Sequence, residues 1–133
     1  MDMFTQRLDA QGKTLGLLAR RQQVLAGNIA HADRPGYQPR DVDFAAALAQ
    51  AQSGQAAPGK MVATSGGHLA GGLSTVGGAE LMYRQPDQPA LDGNTVDLDR
   101  ERANFADNAL RYEATLRFIN ADVRTMLSAI TGQ

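Results

Sequence analysis

The sequence predicts a mainly α-helical protein in which long N- and C-terminal helices flank an irregular, Gly/Ala-rich middle. Three observations carry this expectation. Of the 27 Leu, Ile, Val and Phe residues, eight fall in residues 1–30 and ten in 96–133, against nine in the 65 residues between. Both ends repeat apolar positions in alternating steps of four and three, as a helix with a narrow seam requires. The middle is punctuated by Gly and Pro. A length of 133 residues suits one domain. It divides into a first helix over 1–32, a turn motif, short helix and irregular middle over 33–96, and a last helix over 97–131.

In the first segment the seam is Phe4, Leu8, Gln11, Leu15, Leu18, Gln22, Leu25 and Ile29. Gly12, Gly16 and Gly27 weaken this helix, each by about 1 kcal/mol relative to Ala. It should end near Ala32, because Arg34 precedes Pro35 and is pushed out of α geometry. Pro35-Gly36 suits the central pair of a type II turn, with positive φ at Gly36. Asp41 or Asp43 then caps a short helix through Phe44 to Gln50. Six Gly between Gly66 and Gly78 make the next stretch a flexible loop or a poorly specified pair of short strands. Met61-Val62 and Leu81-Met82-Tyr83 are its only plausible strands. Pro86 and Pro89 enforce extended chain, and Asp92-Gly93-Asn94 makes a turn.

The last segment repeats Phe105, Ala109, Tyr112, Leu116, Ile119, Val123, Met126 and Ile130, all apolar. Asp97 is its N-cap, Asp99 and Glu101 favour the positive end of the helix dipole, and Gly132 stops it. The two seams are expected to face each other within one subunit. Leu17, Val24, Leu110 and Leu127 lie off the seams, on further outward apolar faces open to other chains.

Composition excludes several classes. A net charge of −1 and a pI near 6.1 offer no basic face for nucleic acid. Without Cys there is no disulfide, thiolate metal site or Cys nucleophile. The N-terminus lacks the basic and apolar regions of a secretory signal, so none is expected. Gly54 to Lys60 fits G-x-x-x-x-G-K, but Met61 stands where Mg²⁺ needs Ser or Thr. Asp92 to Asp97 imitates the start of a calcium loop, yet Val96 occupies a ligand position. His31 and His68 have no partner at ligand spacing, and capping or surface roles suit them better. Asp97, Asp99 and Glu101 spread around a helix start rather than converging as an acid/base pair. No catalytic residue, cofactor, metal or small-molecule ligand is expected.

Residues Val24 to Tyr37, running Leu25-Ala26-Gly27-Asn28-Ile29-Ala30-His31-Ala32-Asp33-Arg34-Pro35-Gly36-Tyr37, resemble the signature of flagellar rod and hook axial proteins. That signature reads approximately L-A-x-N-I-A-N-A-x-T-P-G-Y; here His31 replaces the usual Asn and Arg34 the usual Thr. Asp41-Val42-Asp43-Phe44, Tyr83 to Pro89 and Leu91 to Asp97 are similar to proximal rod members of this family. The resemblance implies a coiled-coil inner (D0-like) domain built from the terminal helices. It further implies helical assembly into the rod, a torque-transmitting drive shaft in the periplasm. Such subunits are exported through the flagellar type III apparatus without a cleaved signal. The implied partners are further rod subunits, the rod adaptor at the membrane ring and the export apparatus.

The residues implicated in subunit packing and the turn are Leu18, Leu25, Asn28, Ile29, Pro35, Gly36, Tyr37, Asn94, Val96, Asp97, Phe105, Tyr112, Leu116, Ile119 and Val123. A soluble coiled-coil adaptor or export chaperone would share the helices but leaves the Asn28-to-Tyr37 motif without a purpose. A peptidoglycan-cutting enzyme would need a further catalytic domain.

Overall fold

A computed structural model describes residues 2–53, 81–84 and 96–132. Helix α1 spans Asp2–Ala30, strand β1 Arg40–Val42, helix α2 Phe44–Ser53, strand β2 Leu81–Tyr83 and helix α3 Leu98–Thr131. The protein is therefore mainly α, with long helices at both ends. At 1.5 Å per residue, the 34 residues of α3 extend about 50 Å.

The ends of α3 follow from its sequence. The Asp97 side chain accepts hydrogen bonds from the Asp99 and Arg100 amides, satisfying two of the free N–H groups of the first turn. Gly132 terminates the helix with φ +72°, and its amide donates to the Ser128 carbonyl. Helix α1 closes through hydrogen bonds from His31 N–H to Gly27 O and from Ala32 N–H to Ile29 O. A turn follows in which Tyr37 N–H donates to Arg34 O at 3.2 Å, with Pro35 and Gly36 between them. Gly36 has φ +74°, as a type II turn demands at that position.

A Cβ at Gly36 would meet nothing within 4 Å. Backbone strain alone should therefore set the effect of Gly36→Val, expected to be a loss of roughly 1–3 kcal/mol. A shift in the urea-unfolding midpoint measures it, and an unchanged midpoint would show that the turn relaxes freely.

Helices α1 and α3 lie side by side and antiparallel. Asn28 reaches Glu101, Leu18 and Gln22 reach Asn108, and Gln11 reaches Asp122. The expected seam of α1 is turned inward: Leu18 and Leu25 are buried, and the other six seam positions are half-buried. The expected seam of α3 is only half right. Phe105, Tyr112, Ile119 and Met126 are half-buried, but Ala109, Leu116, Val123 and Ile130 are exposed. Glu101, Asn108, Thr115 and Asp122 occupy the inward line instead. At 100° per residue, the inward face is rotated by roughly 50° from the centre of the apolar stripe. The physical reason is hydrogen bonding: Glu101, Asn108 and Asp122 find specific partners on α1, while the outer edge of the apolar stripe is left facing solvent.

A second face of α1 holds the apolar core. Leu17, Val42 and Ala47 are buried together, with Val24, Phe44, Leu48, Ala51 and Leu81 packed against them. Leu17 and Val24 are thus covered by α2 and the two-stranded sheet of the same chain, not left for another subunit. Leu110 and Leu127 do remain exposed, at 68% and 61%. Strand β2 lies where Leu81-Met82-Tyr83 predicts it, but its partner β1 is an addition. The pair is antiparallel, with Arg40 opposite Tyr83 and Val42 opposite Leu81. The other expected strand, Met61-Val62, lies outside the described residues, as do His68, Asn94 and the Gly54-to-Lys60 segment.

Candidate subunit-packing site

Asn28 sits in the last turn of α1, fully buried, and uses both ends of its amide. Its Nδ2 donates to the Arg40 carbonyl at 2.6 Å and to Glu101 Oε2 at 3.0 Å. Its Oδ1 accepts from Arg40 N–H at 3.0 Å and from the Tyr37 hydroxyl at 3.2 Å. The side chain therefore pairs with both backbone groups of Arg40 as a neighbouring strand would. Only an amide offers donors and an acceptor in this arrangement. It fastens the end of α1, the turn, β1 and the start of α3 at one point.

An ion-pair chain continues from there. Arg84 pairs with Glu101, which is 1% exposed, and with Asp41 at 2.7 Å. Asp41 also accepts from Arg21 Nε at 3.0 Å. The Arg84 amide donates to the Pro39 carbonyl, placing its side chain across the gap from β2 to α3. Two arginines thus meet two carboxylates, leaving no net charge in this largely dry junction. Sequence suggests Asp41 or Asp43 as the cap of α2. Asp43 takes that role, accepting from the Ala46 amide, which frees Asp41 for the arginines.

Burial pushes the Asp41 carboxyl up, but hydrogen bonds from Arg21 and Arg84 outweigh it and hold it below its ordinary value. A depressed folded-state pKa contributes stability that is present above the unfolded value of 3.8 and lost as pH falls through the folded value. The stability gap between wild type and Asp41→Asn should accordingly stay constant above about pH 5 and shrink on further acidification. Urea midpoints across that range test it; a gap that widens on acidification contradicts the assignment.

Along the rest of the α1–α3 contact, Asn108 is fully buried and donates to the Leu18 carbonyl at 2.9 Å and to Gln22 Oε1 at 2.6 Å. Asp122 accepts from Gln11 Nε2 at 2.8 Å and pairs with Arg7 at 3.0 Å. The two polar positions in the α1 seam, Gln11 and Gln22, are thus each matched by a polar residue of α3. His31 is exposed, and its ring lies 5.0 Å from that of Tyr37, centre to centre. Among the described residues no group of three metal-ligating side chains converges, and no helix is long and apolar enough to cross a membrane.

Known proteins share this chain's sequence over nearly its whole length. The flagellar basal body rod protein FlgB of Escherichia coli K12 is 46% identical, spanning 98% of this chain and 96% of the relative. FlgB of Salmonella typhimurium LT2 is 44% identical, spanning 95% and 96%. FlgB of Cereibacter sphaeroides is 38% identical over the full length of both. The chain belongs to the FlgB family. No family model matches the chain.

For this FlgB-family chain, the residues singled out from sequence fall into three places. Leu25, Asn28, Ile29, Pro35, Gly36, Tyr37, Val96 and Asp97 lie around the junction where α1 ends and α3 begins. Leu18 stands further back along α1, where its carbonyl meets Asn108. Phe105, Tyr112 and Ile119 follow the half-buried edge of α3, whereas Leu116 and Val123 are 37% and 45% exposed. Sequence reasoning does not single out Arg21, Arg84 or Asn108, and it reads Glu101 only as a helix-dipole partner. Glu101 and Asn108 stand seven residues apart, on one helical line with Thr115 and Asp122; polar residues at that spacing are the available signal.

Proposed function

We propose that this chain is a non-enzymatic structural subunit of the proximal flagellar basal-body rod. It assembles helically with further rod subunits into a periplasmic drive shaft that transmits torque. It leaves the cytoplasm through the flagellar type III export apparatus without a cleaved signal, and it adjoins the rod adaptor at the membrane ring. The observation that carries this is the likeness to named rod proteins over nearly the full length of both partners.

The outer face of α3 supports the same function. Leu116, Val123, Leu127 and Ile130 form an exposed apolar line beside the α1 contact, and Leu127 and Ile130 are 61% and 66% exposed. Exposed apolar surface arranged in a continuous line is surface to be covered by another chain. The packing role assigned to Leu116 and Val123 is accordingly toward a neighbouring subunit, in a coiled-coil inner domain shared between copies.

Sedimentation with purified basal bodies tests this in cells lacking their own proximal rod protein. The chain is expected in the basal-body fraction, and Val123→Asp is expected to abolish its incorporation while changing the stability of the monomer by less than about 0.5 kcal/mol. Recovery of the wild-type chain only in the soluble cytoplasmic fraction would favour an adaptor or chaperone instead.

A further inference from the structure

Beside the buried junction, on its solvent side, lies a groove of about 340 Å³ lined by Arg34, Pro35, Gly36, Tyr37, Gln38, Arg40 and Tyr83. Its walls are fixed before any ligand arrives. Pro35 and the positive φ of Gly36 hold one side, and the Tyr37 hydroxyl is tied to buried Asn28. On the other side Asn28 binds both backbone groups of Arg40. The Arg40 guanidinium donates to the Tyr83 hydroxyl at 3.3 Å and lies 5.3 Å from the centre of its ring.

The lining, among the described residues, carries two arginines and no acidic residue. Among the described residues no carboxylate pairs with Arg34 or Arg40. Two nearby acids are committed elsewhere, Asp41 to Arg21 and Arg84 and Glu101 to Arg84 and Asn28, while Asp33, next to Arg34 in the chain, is exposed and is not part of the lining. We infer that this groove is a binding site for an acidic peptide segment of a neighbouring protein, whose carboxylates engage Arg34 and Arg40 while its backbone lies against Tyr37 and Tyr83. Planar guanidinium groups bind carboxylates through paired, charge-assisted hydrogen bonds, and the tyrosine rings supply flat, rigid surface on which a peptide can lie. Charge complementarity selects an acidic partner, and the pre-set turn lowers the ordering cost of binding. The groove is defined by this chain alone and does not depend on whether the chain forms a rod.

The test is nuclear magnetic resonance titration of the full chain with hexaglutamate, hexaglutamine and inorganic phosphate, each to roughly millimolar concentration. Hexaglutamate is expected to shift the Tyr37 and Tyr83 ring signals and the Arg34 and Arg40 side-chain signals, with hexaglutamine silent. Arg34→Gln and Arg40→Gln should each weaken binding roughly fivefold, and added salt should weaken it further. Three results overturn the site: no shifts with hexaglutamate, equal binding by the Arg34→Gln/Arg40→Gln variant, or equal shifts with phosphate, which would show a general anion site. If Arg40→Gln loses helical circular dichroism, Arg34→Gln decides alone, since Arg34 is exposed and its side chain carries no bond to any described residue.

Discussion

Arg84→Met should be among the most destabilising single substitutions in this chain, with an expected loss of about 3–5 kcal/mol. Arg84 is the cation paired with Glu101, whose side chain is 1% exposed. Without it Glu101 keeps, among the described residues, only the Asn28 amide, and Asp41 loses one of its two guanidinium partners. An unpaired buried carboxylate costs more than the pair ever contributed, because desolvation persists after the attraction is gone. The same logic predicts recovery: Arg84→Met combined with Glu101→Leu should regain a large part of the loss, since apolar side chains of similar volume tolerate that space. Urea midpoints of the two single variants and the double variant form a cycle that isolates the coupling. A loss below about 1 kcal/mol for Arg84→Met would mean that water reaches Glu101 and that the junction is not dry.

Asn28→Asp is expected to rival it, at about 3–5 kcal/mol near neutral pH. The substitution replaces Nδ2, which donates to Arg40 O at 2.6 Å and to Glu101 Oε2 at 3.0 Å, with an oxygen facing two oxygens. It also puts a second negative charge beside a buried one. The introduced carboxyl is disfavoured in its ionised form within the fold, so its folded pKa lies above its unfolded one, the reverse of Asp41. Its defect is therefore full above that raised pKa and fades as acid protonates it. Because Asp41 is present in both proteins, its own titration cancels in the comparison. The stability gap between wild type and Asn28→Asp should therefore narrow on acidification. A gap independent of pH would mean that the new carboxylate escapes to solvent, and the four hydrogen bonds of Asn28 would then be less binding than the geometry implies.

The ends of the long helices are legible in the sequence because their signals are local. Asp97 caps its own helix two and three residues on, and Gly132 and Pro35-Gly36 act where they stand. The junction is not legible for the opposite reason. Asn28 and Glu101 are 73 residues apart, and Asp41 and Arg84 are 43 apart. No periodicity links such pairs, and β1 needs β2 beside it to be a strand at all. Apolar spacing misplaces the inward face of α3 because it counts only hydrophobic residues. An interface whose specificity rests on Glu101, Asn108 and Asp122 is invisible to such a count. Leu17 and Val24 read as outward for a related reason: a single seam implies one covered face, and α1 has two.

The polar pairs between α1 and α3 bear on how this molecule responds to force. Two helices joined only by leucines can creep past each other by a heptad, about 10 Å, because each knob finds an equivalent hole. Here such a slip would carry Asn108 away from Gln22 and the Leu18 carbonyl, and Asp122 away from Gln11 and Arg7. Each residue would lose its present partners together, which raises the barrier to sliding. Pulled along its length, the helix pair should stretch and recoil like a stiff spring rather than flow, and it should return to the same rest length after each load.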